Sequence, residues 1–413
     1  MKRFPVIVLL LIIIFPLLSC GESGNLESLP KVHTVSSSTG KAEGPVTGGT
    51  AVTITGTHLG HDSEVFFGDN KAASVVVQSA TQLLATTGPV FRARRVPVTV
   101  TTGSQIVVTP DAFLYTPLAA FSSDRTGNFE IFTMAIDGTE VKQVTNNALG
   151  VGIPPPAAGE INTAPSFSPD GRDLVYESNK TGNWEVFIAG RTGTTPTNLS
   201  NDAGAADRDP VFSPDGAFIL FTSDRFDAAT NPTSDAEIFR MKRDGTELTQ
   251  LTDNTSNEFE PTYSPDGNRI VFVSDRNGTD TDLYVMDSVG GNETRITSGT
   301  ENDNSPTFSP DGSQVLFVRA MTLTKELYTV KSDGSPPVIQ LTSAQSDASD
   351  PAFVTQMDGT LNILFSKDAT AKPEIFILPC SGSSAFFVLS CDEPNAQNLT
   401  NHVNTDSAPS PSP

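Results

Sequence analysis

The tetrapeptide Ser-Pro-Asp-Gly occurs four times in this chain, at residues 168–171, 213–216, 264–267 and 309–312. In such a sequence the proline fixes the first central position of a turn, the aspartate suits the second, and the glycine closes the turn. Each copy follows a Pro-x-aromatic triplet and precedes an apolar run such as residues 270–273. The chain from residue 118 onward is therefore predicted to be a repeated β-hairpin unit, and repeats of this length typically build propellers or solenoids.

The number of copies of each strand predicts how many units there are. The second strand recurs six times, ending at Ser123, Ser178, Ser223, Ser274, Arg319 and Ser366. A third strand headed by an acid also recurs six times, at Glu130, Glu185, Glu237, Asp282, Glu326 and Glu374. An acid needed once for chemistry would not recur in every unit, so these acids are predicted to be structural. The first strand has five internal copies, and residues 406–413 align with residues 304–310 as the sixth. This pattern predicts six blades over residues 118–413, closed into a ring by the C-terminal strand so that no sheet edge stays open.

The first thirty residues predict export. A basic start, Met1-Lys2-Arg3, precedes an apolar run over residues 6–18 that is shorter than the ~20 residues of a membrane span, so residues 1–19 are interpreted as a signal peptide. Residues 17–20, Leu-Leu-Ser-Cys, resemble a bacterial lipobox. That resemblance implies lipidation at Cys20 and attachment of the protein to the membrane, with residues 20–30 as a tether. Gly21 stands where an aspartate would signal inner-membrane retention, which favours a cell-envelope location at the outer membrane.

Residues 31–116 have a different pattern from the repeats. Apolar residues alternate with polar ones over residues 52–55, and further short strands follow between glycines, as in a small sandwich. The stretch 44–59, with 65–68 and 97–100, resembles an IPT/TIG domain, an Ig-like spacer or adhesive module. The repeats over 118–413 resemble the TolB-type β-propeller. The expected fold class is thus all-β: an Ig-like β-sandwich followed by a six-bladed TolB-like propeller.

Charge limits the partners of this chain and indicates a candidate face. Its 48 acidic and 26 basic residues give a net charge of −22, which excludes a general nucleic-acid role because phosphates could not be neutralised. The connections from each fourth strand to the next first strand contain, by our count, twelve acids and one base, Arg208. Converging loops whose charges have the same sign focus the electrostatic potential. The expected site for a protein partner or a divalent cation is therefore this face, with Asp209, Glu260, Asp303 and Asp350 as its candidate residues; the alternative is that these acids only cap turns.

Catalytic machinery is not apparent in the sequence, and the chain is predicted not to be an enzyme. A Gly-x-Ser-x-Gly nucleophile elbow is absent, and of the four histidines only His402 falls in the repeats, too few for a metal cluster. No cofactor or metal is expected. Carboxylate-only calcium binding at residues 275–282 is left open, although their spacing does not match an EF-hand loop. Cys380 and Cys391 are close in sequence, and in an oxidising compartment such a pair predicts a disulfide.

Two function classes follow from these observations. The first is a lipid-anchored binding scaffold of the cell envelope, whose propeller face docks a protein or a glycan. The second is a cryptic propeller hydrolase or lyase acting on envelope or extracellular substrates. Repetition of whole blades and the scarcity of histidines favour the first.

Overall fold

The computed structural model describes residues 29–411, with the exception of residues 39, 47, 91–93, 147–158, 194, 228–230, 279, 344–346, 356–360, 369–371, 384–385, 392–395 and 401–404. The described residues form 34 strands and no helix, so the predicted all-β class is confirmed. No helix in this part of the chain is long and apolar enough to cross a membrane. The predicted signal peptide, Cys20 and most of the tether lie outside the described residues and stay predictions.

Nine strands build the N-terminal sandwich. They are β1 Lys31–Ser37, β2 Glu43–Pro45, β3 Ala51–Thr57, β4 Glu64–Phe67, β5 Asn70–Lys71, β6 Ser74–Ser79, β7 Gln82–Thr86, β8 Arg94–Thr102 and β9 Gln105–Thr116. One sheet has the order β1-β3-β7-β6 and the other the order β2-β9-β8-β4-β5. Inward-facing and outward-facing residues alternate along each strand, and the inward-facing Val52 and Ile54 of β3 are fully buried. Phe67 and Phe113 meet edge to face across this core with ring centroids 5.0 Å apart.

The remaining strands form six sheets arranged as blades. Blade 1 contains β10 Leu118–Ser123, β11 Glu130–Ala135 and β12 Lys142–Gln143; blade 2 contains β13 Asn162–Phe167, β14 Asp173–Ser178, β15 Glu185–Gly190 and β16 Thr197–Asn198; blade 3 contains β17 Asp207–Phe212, β18 Phe218–Ser223, β19 Glu237–Lys242 and β20 Thr249–Gln250. Blade 4 contains β21 Glu258–Tyr263, β22 Arg269–Ser274, β23 Asp282–Asp287 and β24 Thr294–Arg295; blade 5 contains β25 Asn302–Phe308, β26 Gln314–Ala320, β27 Lys325–Lys331 and β28 Ile339–Gln340. Blade 6 contains β29 Ala348–Thr355, β30 Leu361–Asp368, β31 Pro373–Ser383, β32 Phe386–Cys391 and β33 Gln397–Asn398. The last strand, β34 Asp406–Pro411, pairs with β10 and so belongs to blade 1.

Two stabilising devices recur among the blades. At the Ser-Pro-Asp-Gly turns the serine hydroxyl donates to the aspartate, as from Ser213 Oγ to Asp215 Oδ1 at 2.6 Å, and the following Gly216 has a φ of 71° that glycine adopts without strain. Between the second and third strands an aromatic pair stacks face to face, as Phe221 does on Phe239 with centroids 5.9 Å apart. Equivalent pairs occur in all six blades.

The propeller therefore has two distinct ends. The turn end carries the Ser-Pro-Asp-Gly turns and the turns between third and fourth strands. The channel end carries the loops from second to third strands and the connections from fourth to first strands. First strands of neighbouring blades lie against one another around a central channel.

The sandwich packs on the turn end and shares a hydrophobic core with the propeller. Val46, Val90 and Val96 of the sandwich belong to one buried cluster with Leu118 and Leu174 of the first two blades. Arg191, at the end of β15, is only 7% exposed. Its Nη2 donates to the backbone carbonyl of Val46 at 3.3 Å and to that of Val90. The hydrogen bonds from Arg191 and the common core fix the sandwich to the propeller. Because the sandwich packs on the turn end, it does not cover the channel end.

Replacing Arg191 with alanine should loosen this junction. The change removes a donor from two buried carbonyls, and hydrogen bonds to charged groups contribute about 2 kcal/mol. We expect a lower melting temperature and faster proteolysis between the sandwich and the propeller than in the unchanged protein. Arg172→Ala is the matched control, because that side chain is mostly exposed and lies 3.9 Å from Asp170. Equal melting temperatures for the two variants would contradict the role given to Arg191.

Candidate binding face of the propeller

The inner strand of every blade contains one residue in the left-handed region immediately before a proline. Their φ angles lie between 49° and 53°, and the residues are Ala164, Asp209, Glu260, Ser305, Asp350 and Ala408. At this position each first strand slips in register against the second, as in a β-bulge. The bulge turns these six residues toward the channel, where they and the prolines line a cavity of about 450 Å³.

Three of these six positions carry acids, and a fourth carboxyl group joins them from a second strand. We name Glu177, Asp209, Glu260 and Asp350 the channel carboxylates. Because the bulge releases backbone N–H groups from the ladder, these carboxylates accept them from the next blade. Asp209 N donates to Glu177 Oε2 at 3.1 Å, Glu260 N to Asp209 Oδ2 at 3.4 Å, and Ala408 N to Asp350 Oδ2 at 3.4 Å. The channel carboxylates thus connect neighbouring blades as well as giving the channel its acidity.

Burial, with the close approach of like charges, raises the pKa values of these groups and keeps some of them protonated near neutral pH. Burial raises the pKa of Glu177 to about 7 and that of Glu260 to about 8, and in both cases the Asp209 carboxylate adds to the rise. Burial also raises the pKa values of Asp209 and Asp350. Arg208 Nη1, 3.7 Å from Glu177 Oε1, offsets part of this effect. The channel is therefore a set of carboxyl groups whose charge changes in the neutral pH range.

Asp303 does not belong to this set, and placing it on the candidate face was wrong. Its side chain is fully buried and does not line the channel cavity. Arg319 donates two hydrogen bonds to it, from Nε to Oδ1 at 2.7 Å and from Nη2 to Oδ2 at 2.8 Å. Its counterpart in the channel is Ser305, the residue before Pro306. A buried carboxylate with a bidentate arginine has a structural task and is not available to a partner.

The predicted ratio of twelve acids to one base is also wrong as a description of this end. Arginines at the ends of the second strands or just after them reach acids at the start of the first strands. Arg225 Nη2 lies 2.8 Å from Asp207 Oδ1, and its guanidinium lies over the Phe221 and Phe239 rings. The other three pairs are Arg125–Asp406, Arg276–Glu258 and Arg319–Asp303. Four of the twelve acids are thereby neutralised, and the net acidity is concentrated in the channel.

The acids that head the third strands have the structural role predicted from their six-fold repetition. In blade 1, Thr145 Oγ1 donates to Glu130 Oε2 at 2.5 Å and accepts the N–H of Ile131 at 2.8 Å. Blades 2 and 5 repeat the hydroxyl-to-carboxylate bond with Ser200–Glu185 and Thr342–Glu326, each at 2.6 Å. The acid therefore joins the third strand of a blade to its fourth.

Aromatic and aliphatic side chains also lie in the loops of the channel end, a feature that was not predicted from the sequence. Phe226 is 67% exposed and Leu323 is 89% exposed, and both lie in loops from a second to a third strand. Trp184, the single tryptophan of the chain, lies in the equivalent loop of blade 2, with the guanidinium carbon of Arg208 4.0 Å from its ring centre. Apolar residues around a charged centre are typical of protein-docking surfaces.

The candidate calcium loop and the cysteine pair occupy other places. Asp275 accepts hydrogen bonds from Asn257, at 2.9 Å from its N–H and 2.8 Å from its side chain, while buried Asp282 pairs with Arg295. Among the residues that the structure describes, no three histidines, cysteines or acids converge as metal ligands do. Cys380 and Cys391 face each other on β31 and β32 and are joined by a disulfide bond.

The geometry defines a class of protein, a β-sandwich fixed to a propeller whose central channel is lined by carboxyl groups. Comparison with known families assigns both parts. The IPT/TIG domain matches residues 30–115, and the TolB beta propeller domain matches residues 157–230 and 227–305. The chain therefore contains an IPT/TIG domain followed by TolB-type β-propeller repeats, which confirms the resemblance inferred from its turns and strands.

Individual relatives are similar over only part of their own length and of this chain. An uncharacterised protein of Agrobacterium fabrum is 31% identical over 108 residues, which is 26% of this chain and 34% of the relative. A TolB homolog of Chlorobium luteolum is 28% identical over 160 residues, 38% of this chain and 31% of the relative. The chain thus spans about a third of the length of the curated relatives it matches.

Solved structures with this fold include proteins of different names. TolB from Acinetobacter baumannii superimposes with a TM-score of 0.56 at 20% identity, over 72% of this chain and 67% of that chain. Hydrazine synthase from Kuenenia stuttgartiensis superimposes with a TM-score of 0.54 at 16% identity, over 72% of this chain and 46% of that chain. At these identities the likeness establishes the fold and leaves the function to the site.

Proposed function

We propose that this protein is a binding scaffold of the bacterial cell envelope, attached to a membrane through a lipid on Cys20. In this proposal the channel end of the propeller docks a protein partner by a basic segment. The observation that supports it most is the combination of the channel carboxylates with half-buried Trp184 and exposed Phe226 and Leu323 in the loops of the channel end. The likeness to TolB-type repeats favours the same kind of role.

A binding role also agrees with how the polar groups of the channel are used. The channel carboxylates bond backbone N–H groups and share raised pKa values, so a lysine or arginine entering the channel would restore their charge. The apolar side chains around the channel would supply contact area to the same segment. We therefore propose a non-enzymatic scaffold, located at the outer membrane, and assign the channel no catalytic step.

The proposal can be tested with the tryptophan that stands beside the channel. Titration with a short lysine-glycine peptide should change the fluorescence of Trp184, and salt should weaken the binding. We expect Asp209→Asn, Glu260→Gln and Asp350→Asn together to weaken this binding about tenfold and to reduce capture of the native envelope partner. Asp303 is left unchanged because its loss would break the Arg319 pair.

The control removes the same number of charges from the turn end. Glu140→Gln, Glu247→Gln and Asp333→Asn alter exposed acids far from Trp184 and should leave the titration as it was. Equal losses in both triple variants would mean that only net charge matters. An unchanged titration in the channel variant would place the binding surface elsewhere.

A further inference from the structure

The chain enters the sandwich at the end opposite the propeller. β1 begins at Lys31, which pairs with Thr57, whereas Ser37 pairs with Val52 near the junction with the propeller. The loop over residues 58–63 and the turn between β8 and β9 lie at the entry end, where Ser63 Oγ contacts Thr102 Oγ1 at 2.7 Å. We name this region the distal end of the sandwich. A tether before residue 31 therefore leaves the protein on the side away from the channel.

Exposed apolar residues gather at this distal end. Ile106 is 68% exposed and Val108 is 54% exposed on one face of β9, and Leu29 just before β1 is 41% exposed. Ile106 and Val108 lie opposite Thr101 and Thr99 on the outer face of the second sheet, whereas Leu29 precedes β1 of the first sheet. Exposed Lys31 and His58 lie at the same end. A patch of this kind beside the predicted attachment point is placed where a bilayer surface would be.

The distribution of charge points in the same direction. Residues 31–116 contain six basic and five acidic residues, a net charge of +1, whereas residues 118–413 contain 18 basic and 41 acidic residues, a net charge of −23. Anionic headgroups repel the propeller and do not repel the sandwich. A tether of ten residues reaches at most ~35 Å, so the distal end stays close enough to the membrane for a weak contact to be occupied.

We infer that the distal end of the sandwich docks on the lipid surface. Leu29, Ile106 and Val108 enter the boundary between headgroups and acyl chains, while Lys31 faces anionic headgroups. This inference rests on the proposed lipid attachment at Cys20. It gives the sandwich a task beyond spacing, because a docked distal end points the channel end of the propeller away from the membrane toward its partner.

The test measures which end of the anchored protein touches lipid. The lipoprotein carries a fluorophore on Ser104→Cys, beside the patch, or on Thr322→Cys, at the channel end, and is reconstituted into phosphatidylethanolamine–phosphatidylglycerol vesicles that contain a brominated lipid. We expect quenching at position 104 and none at position 322. Ile106→Gln with Val108→Gln should abolish the quenching while the protein still floats with the vesicles.

A matched control and the flotation assay separate the ways in which the inference fails. Val76→Gln with Val289→Gln removes two valines of similar exposure elsewhere and should leave the quenching at position 104 unchanged. Two results with floating protein would show that the distal end is not docked on the lipid surface. These are equal quenching at both positions, or quenching that is unchanged by the Ile106 and Val108 substitutions. Protein that does not float, and behaves like a Cys20→Ser variant, would refute the lipid anchor and the docking with it.

Discussion

Deleting residues 406–413 should open the propeller and lower its melting temperature by about 10 °C or more, or make the protein aggregate. The deletion removes β34, which pairs with β10 from Ala119↔Pro411 to Ser123↔Asp406. It also removes Asp406, a fully buried acid whose Oδ1 lies 2.8 Å from Arg125 Nη2. Loss of a whole inner strand costs more than about 5 kcal/mol, and each kcal/mol shifts the melting temperature of a chain of this size by ~2 °C.

Two smaller changes make this prediction informative even when the deletion does not fold. Removing only residues 412 and 413 spares every paired residue of β34 and should leave the melting curve unchanged. Asp406→Ala keeps the strand but leaves Arg125 without its carboxylate, and we expect a loss of about 3 kcal/mol. Calorimetry on the three variants should rank them in this order. A full deletion that melts like the native protein would mean that β34 does not close the ring.

Repetition is the reason why the architecture could be predicted from the sequence. Six copies of a strand cannot be accidental. Residues 406–413 could be aligned with residues 304–310 because the same residue types recur in the same order. The role of the third-strand acids followed in the same way, since Glu130 and its equivalents do one structural task in each blade.

The site was predicted less well, for two physical reasons. A residue before proline normally favours an extended conformation, so the left-handed bulge that turns Asp209 into the channel could not be expected from its type. The placement of Asp303 could have been avoided: it stands three residues before Pro306, whereas Asp209, Glu260 and Asp350 each directly precede a proline. The arginine pairs were missed because these arginines lie at or just after the ends of the second strands. The count of twelve acids and one base covered only the connections from fourth to first strands.

Raising the pH from 5.5 to 8.5 should destabilise the folded protein. Glu177 has its pKa raised from 4.5 to about 7 in the folded state, and Glu260 to about 8. Between these values and ~4.5 the folded chain binds more protons than the unfolded chain, so the free energy of unfolding falls as pH rises. For Glu177 alone the whole shift corresponds to about 3 kcal/mol, which is lost as pH rises from ~4.5 to ~7, and about 2 kcal/mol of this loss falls above pH 5.5. We expect the melting temperature at pH 8.5 to be about 6 °C lower than at pH 5.5.

The same deprotonation should strengthen binding at the channel. As Glu177 and Glu260 lose their protons, the negative potential facing a basic segment increases, so the affinity for the lysine-glycine peptide should rise over the pH range in which stability falls. Glu177→Gln keeps an acceptor for Thr163 and for the N–H of Asp209 but cannot titrate, and it should reduce the pH dependence of both profiles, leaving the part that comes from Glu260. Glu140→Gln, an exposed acid at the turn end, should leave both profiles unchanged. If stability falls with pH while affinity does not rise, the channel carboxylates only join the blades; if neither changes, their protons are not retained near neutral pH.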